Sequence, residues 1–114
     1  MPAWLNEGVA QWYEGQPGDR ALAIQDARAR LAGSALEPLA ALGGSFALWT
    51  DEERIARAYA QSLALIDHIS RWYGDHVVLA MLEGCRAGVA PEETFQQRTA
   101  RTLGSAVVEL AEEL

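Results

Sequence analysis

The sequence predicts an all-α fold, a bundle of five or six helices covering residues 1–114 as a single helical domain. Three observations lead there. Apolar residues recur at three- and four-residue spacing over long segments. Gly and Pro divide the chain into pieces of helical length. No stretch alternates with the period of two that a half-buried strand requires, and no internal repeat is present.

The first helix is expected over 2–14, with Pro2 at an opening position where its missing N–H costs nothing. Gly15-Gln16-Pro17-Gly18 breaks it. Asp19 then reads as the N-cap of a second helix that reaches Leu31 and ends at Gly33. Residues 34–49 are small and apolar, with Pro38 and the Gly43-Gly44 pair. They predict a compact connection holding one short helical turn around Leu39 to Leu42.

The third helix is the plainest element and the longest, over 50–73. Thr50-Asp51-Glu52-Glu53 reads as a capping box whose acids complement the helix dipole. Ile55, Tyr59, Leu63, Ile66, Ile69 and Tyr73 follow down one face, and Gly74 closes it. A fourth helix over 75–87 opens on Val77, Val78, Leu79, Met81 and Leu82, which predicts central burial, and Gly88 ends it. Pro91-Glu92-Glu93 opens a short fifth helix, and Ser105 is expected to cap a last one over 106–114. The expected core is Leu5, Val9, Ile55, Tyr59, Leu63, Ile66, Ile69, Val78, Leu82 and Leu110.

Composition limits the function. A chain of 114 residues buries roughly 65% of its unfolded surface, enough for one core without staples. The net charge is −7 and every basic residue is Arg, so a phosphate backbone is repelled and no nucleic-acid partner is expected. Arg28, Arg30, Arg54 and Arg57 read as a solvated face. No membrane span is expected, because apolar runs such as Val77 to Leu82 fall far below the ~20 residues a crossing needs. The first residues also lack the basic start and apolar run of a signal peptide. Cys85 is alone, which excludes an internal disulfide, and its apolar setting reads as a small core residue.

The informative segment is Pro2-Ala3-Trp4-Leu5-Asn6-Glu7-Gly8-Val9-Ala10-Gln11-Trp12-Tyr13-Glu14. It resembles the P-x-W-L-x-E-G-x-A-x-x-x-E block of the gluzincin zinc metallopeptidases, the aminopeptidase N-like and peptidase MA-like enzymes. Further likeness to the peptidase MA-like group lies in Tyr59-Ala60-Gln61-Ser62 and in Ile69-Ser70-Arg71-Trp72-Tyr73-Gly74. Leu82-Glu83-Gly84, Phe95 and Leu103-Gly104-Ser105 before an acidic last helix extend it. The likeness thus spans nearly the whole chain, specific in the first block and loose beyond it.

The resemblance implies the C-terminal helical subdomain of such an enzyme, with Glu7 as the third zinc ligand. Catalytic zinc takes three protein ligands and an open position. Two are the histidines of an H-E-x-x-H helix, whose Glu is the general base. Gly8, without a side chain, would let neighbouring backbone come close, while Leu5, Val9 and Trp12 hold the helix to its own core and Glu7 faces elsewhere with Ala10, Gln11 and Glu14. A Glu in the first turns of a helix is in itself ordinary dipole compensation; only the flanking W-L-N-E-G-x-A pattern favours a ligand. Glu14 reads as a solvated residue.

The departure from the family is large. No H-E-x-x-H exists in this sequence. His68 and His76 lie eight residues apart across Gly74, so they cannot pair as i, i+4 ligands. His68 reads as a hydrogen-bonded edge residue, and His76 as another in the first turn of the fourth helix. The chain therefore carries no catalytic residue of its own and should bind no zinc alone, zinc and peptide substrate belonging to the parent enzyme. It reads as a piece cut downstream of the histidine helix, the alternative being a homologue that has lost it. The expected partner is that H-E-x-x-H segment, or a second copy docked through the first helix.

A rival reading makes the chain a non-catalytic interaction or dimerisation module. Its ground is the aromatic load of Trp4, Trp12 and Tyr13, which would form an exposed apolar patch. Nothing else suggests chemistry. There is no G-x-S-x-G elbow, no phosphate-binding Gly-rich loop and no cysteine pair.

Overall fold

A computed structural model describes residues 1–14 and 17–114. The chain order is α1 (Ala3–Tyr13), α2 (Pro17–Leu31), two short 3₁₀ turns (Leu39–Leu42 and Phe46–Leu48), α3 (Glu52–Tyr73), α4 (Asp75–Arg86), α5 (Pro91–Thr99) and α6 (Leu103–Glu113). The described residues form an all-helical bundle without strands. The break expected at Gly15-Gln16 lies outside the described residues. Among them, no helix is long and apolar enough to cross a membrane.

Helix α3 is the axis of the bundle. Its 22 residues extend ~33 Å, and all nine from Gln61 to Ile69 are buried. A helix buried on every side at mid-length needs neighbours all round, and α1, α2, α4 and α6 supply them. The cap is Asp51 rather than Thr50: its carboxylate accepts from the N–H groups of Glu53 at 3.0 Å and Arg54 at 3.1 Å. The Glu52 and Glu53 acids still lie in the first turn, where the dipole favours them. At the other end Gly74 takes φ 99°, a backbone only glycine adopts freely, and its N–H closes on the carbonyls of Ile69 and Ser70.

The connection over 34–49 is stitched to α3 by a buried side chain. Gln61, 1% exposed, accepts from the Glu37 N–H at 2.9 Å and donates to the Glu37 carbonyl at 2.8 Å. That satisfies both polar groups of a loop residue lying against the core. The loop contains the expected turn at Leu39–Leu42 and a second at Phe46–Leu48, which buries Phe46 against the edge of Tyr59 at 5.0 Å.

Several expectations need correction. Helix α2 opens at Pro17, two residues ahead of Asp19. Helix α6 is capped by Thr102, whose hydroxyl accepts from the Ser105 N–H at 3.1 Å, so it begins at Leu103. Helix α4 ends at Arg86 and is only half sunk. Val77, Val78, Ala80 and Met81 are buried, whereas Leu79 is 47% exposed. Of the expected core, Leu5, Leu63, Ile66, Ile69, Val78 and Leu110 are buried, and Val9, Tyr59 and Leu82 pack against its margin. Ile55 is half-buried at the start of α3. Arg28 and Arg57 do not join a solvated face; half-buried, they donate to the carbonyls of Glu113 and Ala35. Arg30 and Arg54 remain exposed, on Glu53 and Glu37. Cys85 is half-buried against the core.

Candidate functional site

Helix α1 follows extended Pro2, and its first residue is anchored by the Ala3 N–H donating to the Gly43 carbonyl at 3.0 Å. Its buried line is Trp4, Leu5 and Gly8, with Trp12 half-buried one turn on. Leu5 is buried and Val9 and Trp12 pack against the core, as the apolar spacing predicts. The determinant of the crossing with α3 is Gly8. A Cβ there would lie 2.5 Å from the Ser62 carbonyl oxygen and 2.6 Å from Ile66 Cγ1, so α1 can approach α3 this closely only with glycine at the crossing.

One turn further, Gln11 Nε2 donates to the Tyr59 carbonyl at 2.9 Å and to the Glu7 carbonyl at 3.2 Å. The W-L-N-E-G segment and the Tyr59-Ala60-Gln61-Ser62 segment, far apart in sequence, therefore meet at one helix crossing. Glu7 is half-buried beside it, and among the described residues its carboxylate makes no hydrogen bond or ion pair. Glu14 is exposed at the end of α1.

Among the described residues no group of three or more His, Cys, Asp and Glu side chains is placed to hold a metal ion. One carboxylate falls short of the three ligands that a catalytic ion needs. The histidines do not come to its aid. His76 is exposed and folded back over Gly74, and His68 is engaged on another face of α3.

That face holds a cluster of polar side chains around a buried histidine. His68 is 2% exposed, a buried residue and not the edge residue expected. Its Nδ1 is 2.5 Å from Glu113 Oε1 and its Nε2 is 3.1 Å from Glu109 Oε1. The Tyr73 hydroxyl donates to Glu109 at 2.7 Å, and Arg101 stands 3.7 Å from the same carboxylate. The Trp72 indole and Arg71 each donate to Glu113 at 3.4 Å, and Arg71 also holds Asp67 at 2.8 Å. The His68, Trp72, Tyr73 and Arg101 side chains, with Glu109, Glu112 and Glu113, line a cleft of about 430 Å³ between α3 and α6.

The surroundings set the carboxyl groups. The His68 hydrogen bond, then that of Tyr73, holds Glu109 below its ordinary value despite some burial. At Glu113 burial works upward, but His68, Trp72 and Arg71 outweigh it and the carboxyl is again lowered. Burial and the Glu109 carboxylate push the Tyr73 phenol up. The sequence did not reveal this cluster as a site. Its parts are 36 to 45 residues apart, and the single local hint was Glu109 and Glu113 one helical turn from each other.

The aromatic patch expected on α1 is mostly internal. Trp4 is 1% exposed, Trp12 is half-buried with the Arg20 guanidinium 4.0 Å over its ring, and only Tyr13 stays open at 53%. The ground for pairing through α1 is correspondingly reduced. No family model, curated protein or solved structure matches the chain.

Proposed function

We propose that this chain is the C-terminal helical part of a gluzincin-type zinc metallopeptidase, in which Glu7 supplies the third ligand. The two histidine ligands and the general base would come from an H-E-x-x-H segment that this sequence does not contain. What supports the reading is one arrangement. Gly8 lies in contact with the Ser62 backbone, and the neighbouring Glu7 carboxylate is half-buried with no partner among the described residues. A partly exposed carboxylate with no protein partner is available to a ligand from outside the chain, and a metal ion carried by a facing helix would be one.

The chain's own part in such an enzyme is positional. The Gly8 crossing, the Gln11 bridge and the buried Trp4 fix where α1 presents Glu7. When bound, zinc supplies a polarised water for peptide hydrolysis, but this chain alone lacks the ligands to hold it and the base to use it. The test is activity in two polypeptides. This chain alone should cleave no peptide. A polypeptide encoded with an in-frame H-E-x-x-H ahead of Met1 should cleave one, and Glu7→Gln should abolish that activity. Hydrolysis by the short chain, or full activity in the Gln variant, would overturn the assignment, as would the lack of any such coding segment.

A further inference from the structure

We propose that His68 is a charged pin between α3 and α6, and that the docking of α6 therefore responds to pH in both directions. The geometry requires a particular proton count. Glu109 and Glu113, one turn apart on α6, straddle the ring with one carboxylate at each nitrogen, at 3.1 and 2.5 Å. A neutral imidazole has a single N–H and turns a lone pair to its other neighbour. Two carboxylates are both satisfied only when both nitrogens carry protons, and both contacts are then charge-assisted. At 2% exposure the ring itself has little access to water that could take the place of a lost partner.

The wider charge balance agrees. Three carboxylates, of Asp67, Glu109 and Glu113, face the cluster against two guanidiniums, of Arg71 and Arg101. Glu112 at the cleft and Arg28 at the Glu113 carbonyl add one charge of each sign. The Tyr73 phenol is neutral and donates to Glu109. An imidazolium is the missing third positive charge. It matters to packing, because α6 places Leu103, Ala106 and Leu110 in the core at 1%, 0% and 0% exposure. Loosening the pin lowers the cost of exposing them.

The two edges have different origins. Glu109 and Glu113 titrate below the ordinary carboxylate range in the folded state, so their share of the pin is complete above that range. It is lost as pH falls through the folded-state values. The other edge is a ring with a single proton, which turns a lone pair to one of the two carboxylates. The inference stands apart from the peptidase reading, since it invokes neither Glu7 nor a metal.

Hydrogen exchange tests it, with α6 protection corrected for intrinsic rates between about pH 3 and about pH 9. The His68 Cε1–H resonance is followed in the same samples. As the ring loses its second proton, α6 protection should fall roughly ten-fold or more, the scale of one charge-assisted hydrogen bond. The two midpoints should coincide while α1 protection holds. In Glu113→Gln a neutral ring can donate to Glu109 and accept from the amide, so the alkaline loss should vanish. Protection of α6 that stays flat through the His68 titration would overturn the proposal. So would an undiminished alkaline loss in Glu113→Gln.

Discussion

Replacing Gly8 by alanine sets two known effects against each other, and the structure decides between them. Alanine in a helix interior is favoured over glycine by ~1 kcal/mol. At this position, however, the new Cβ would stand 2.5 Å from the Ser62 carbonyl oxygen, 3.0 Å from its carbon and 2.6 Å from Ile66 Cγ1. Ile66 can shift, but the carbonyl belongs to the centre of a 22-residue helix and cannot. Helix α1 must retreat instead, opening the Trp4 and Leu5 contacts. Overpacking of this kind costs ~3 kcal/mol at the upper end of its range. Set against propensity, the net loss is ~2 kcal/mol, a fall of ~8 °C in melting temperature for a chain of this length. Urea unfolding followed by circular dichroism measures it, with Gly18→Ala as control because a Cβ there meets nothing within 4 Å. The control should be neutral or slightly stabilising. A Gly8→Ala protein as stable as wild type would show that the crossing does not depend on glycine, and the positioning argument for Glu7 would lose its foundation.

Three further outcomes are expected. Trp4→Ala removes the largest side chain fully buried on α1, at 1% exposure, and should cost ~3–5 kcal/mol by denaturant unfolding; a loss under ~1 kcal/mol would mean Trp4 sits near solvent. Asp51→Ala should cost ~1 kcal/mol and Thr50→Ala almost nothing, the order expected if Asp51 alone caps α3. The Arg54 hydrogen bond, against slight burial, holds the Glu37 carboxyl below its ordinary 4.5. Its contribution to stability is therefore present above 4.5 and lost as pH falls through the folded-state value. Urea midpoints should accordingly drop less on acidification in Glu37→Gln than in wild type, and an identical drop would contradict the pairing.

Helix α3 was legible because every local signal agreed: an acidic first turn, a long apolar face and a glycine stop. Its cap was misplaced by one residue because Thr50 and Asp51 are both competent, and only the path of the chain decides. The same ambiguity moved the α6 cap from Thr102 to Ser105. The α1 seam of Leu5, Val9 and Trp12 was legible from its apolar spacing, and the close approach at Gly8 from its missing side chain. Apolar periodicity registers side chains, whereas the contact that orients α1 is made by a residue with none. The turn at Phe46–Leu48 is too short to show a period. Glu7 was singled out by its flanking residues, and the structure adds that those residues meet the Tyr59–Ser62 turn. The His68 cluster had no local signature beyond the Glu109–Glu113 spacing, because burial and two partners 41 and 45 residues away define it.

Zinc titration calorimetry tests the assignment of Glu7 most directly. This chain alone should take up no stoichiometric zinc, with Glu7→Gln changing its stability by less than ~0.5 kcal/mol, as for a residue outside the packed core. Joined to an H-E-x-x-H segment it should bind one ion, and Glu7→Gln should weaken that binding sharply by removing one of three ligands. Tight zinc binding by the chain alone would contradict the account, as would a joined protein whose affinity is indifferent to Glu7→Gln.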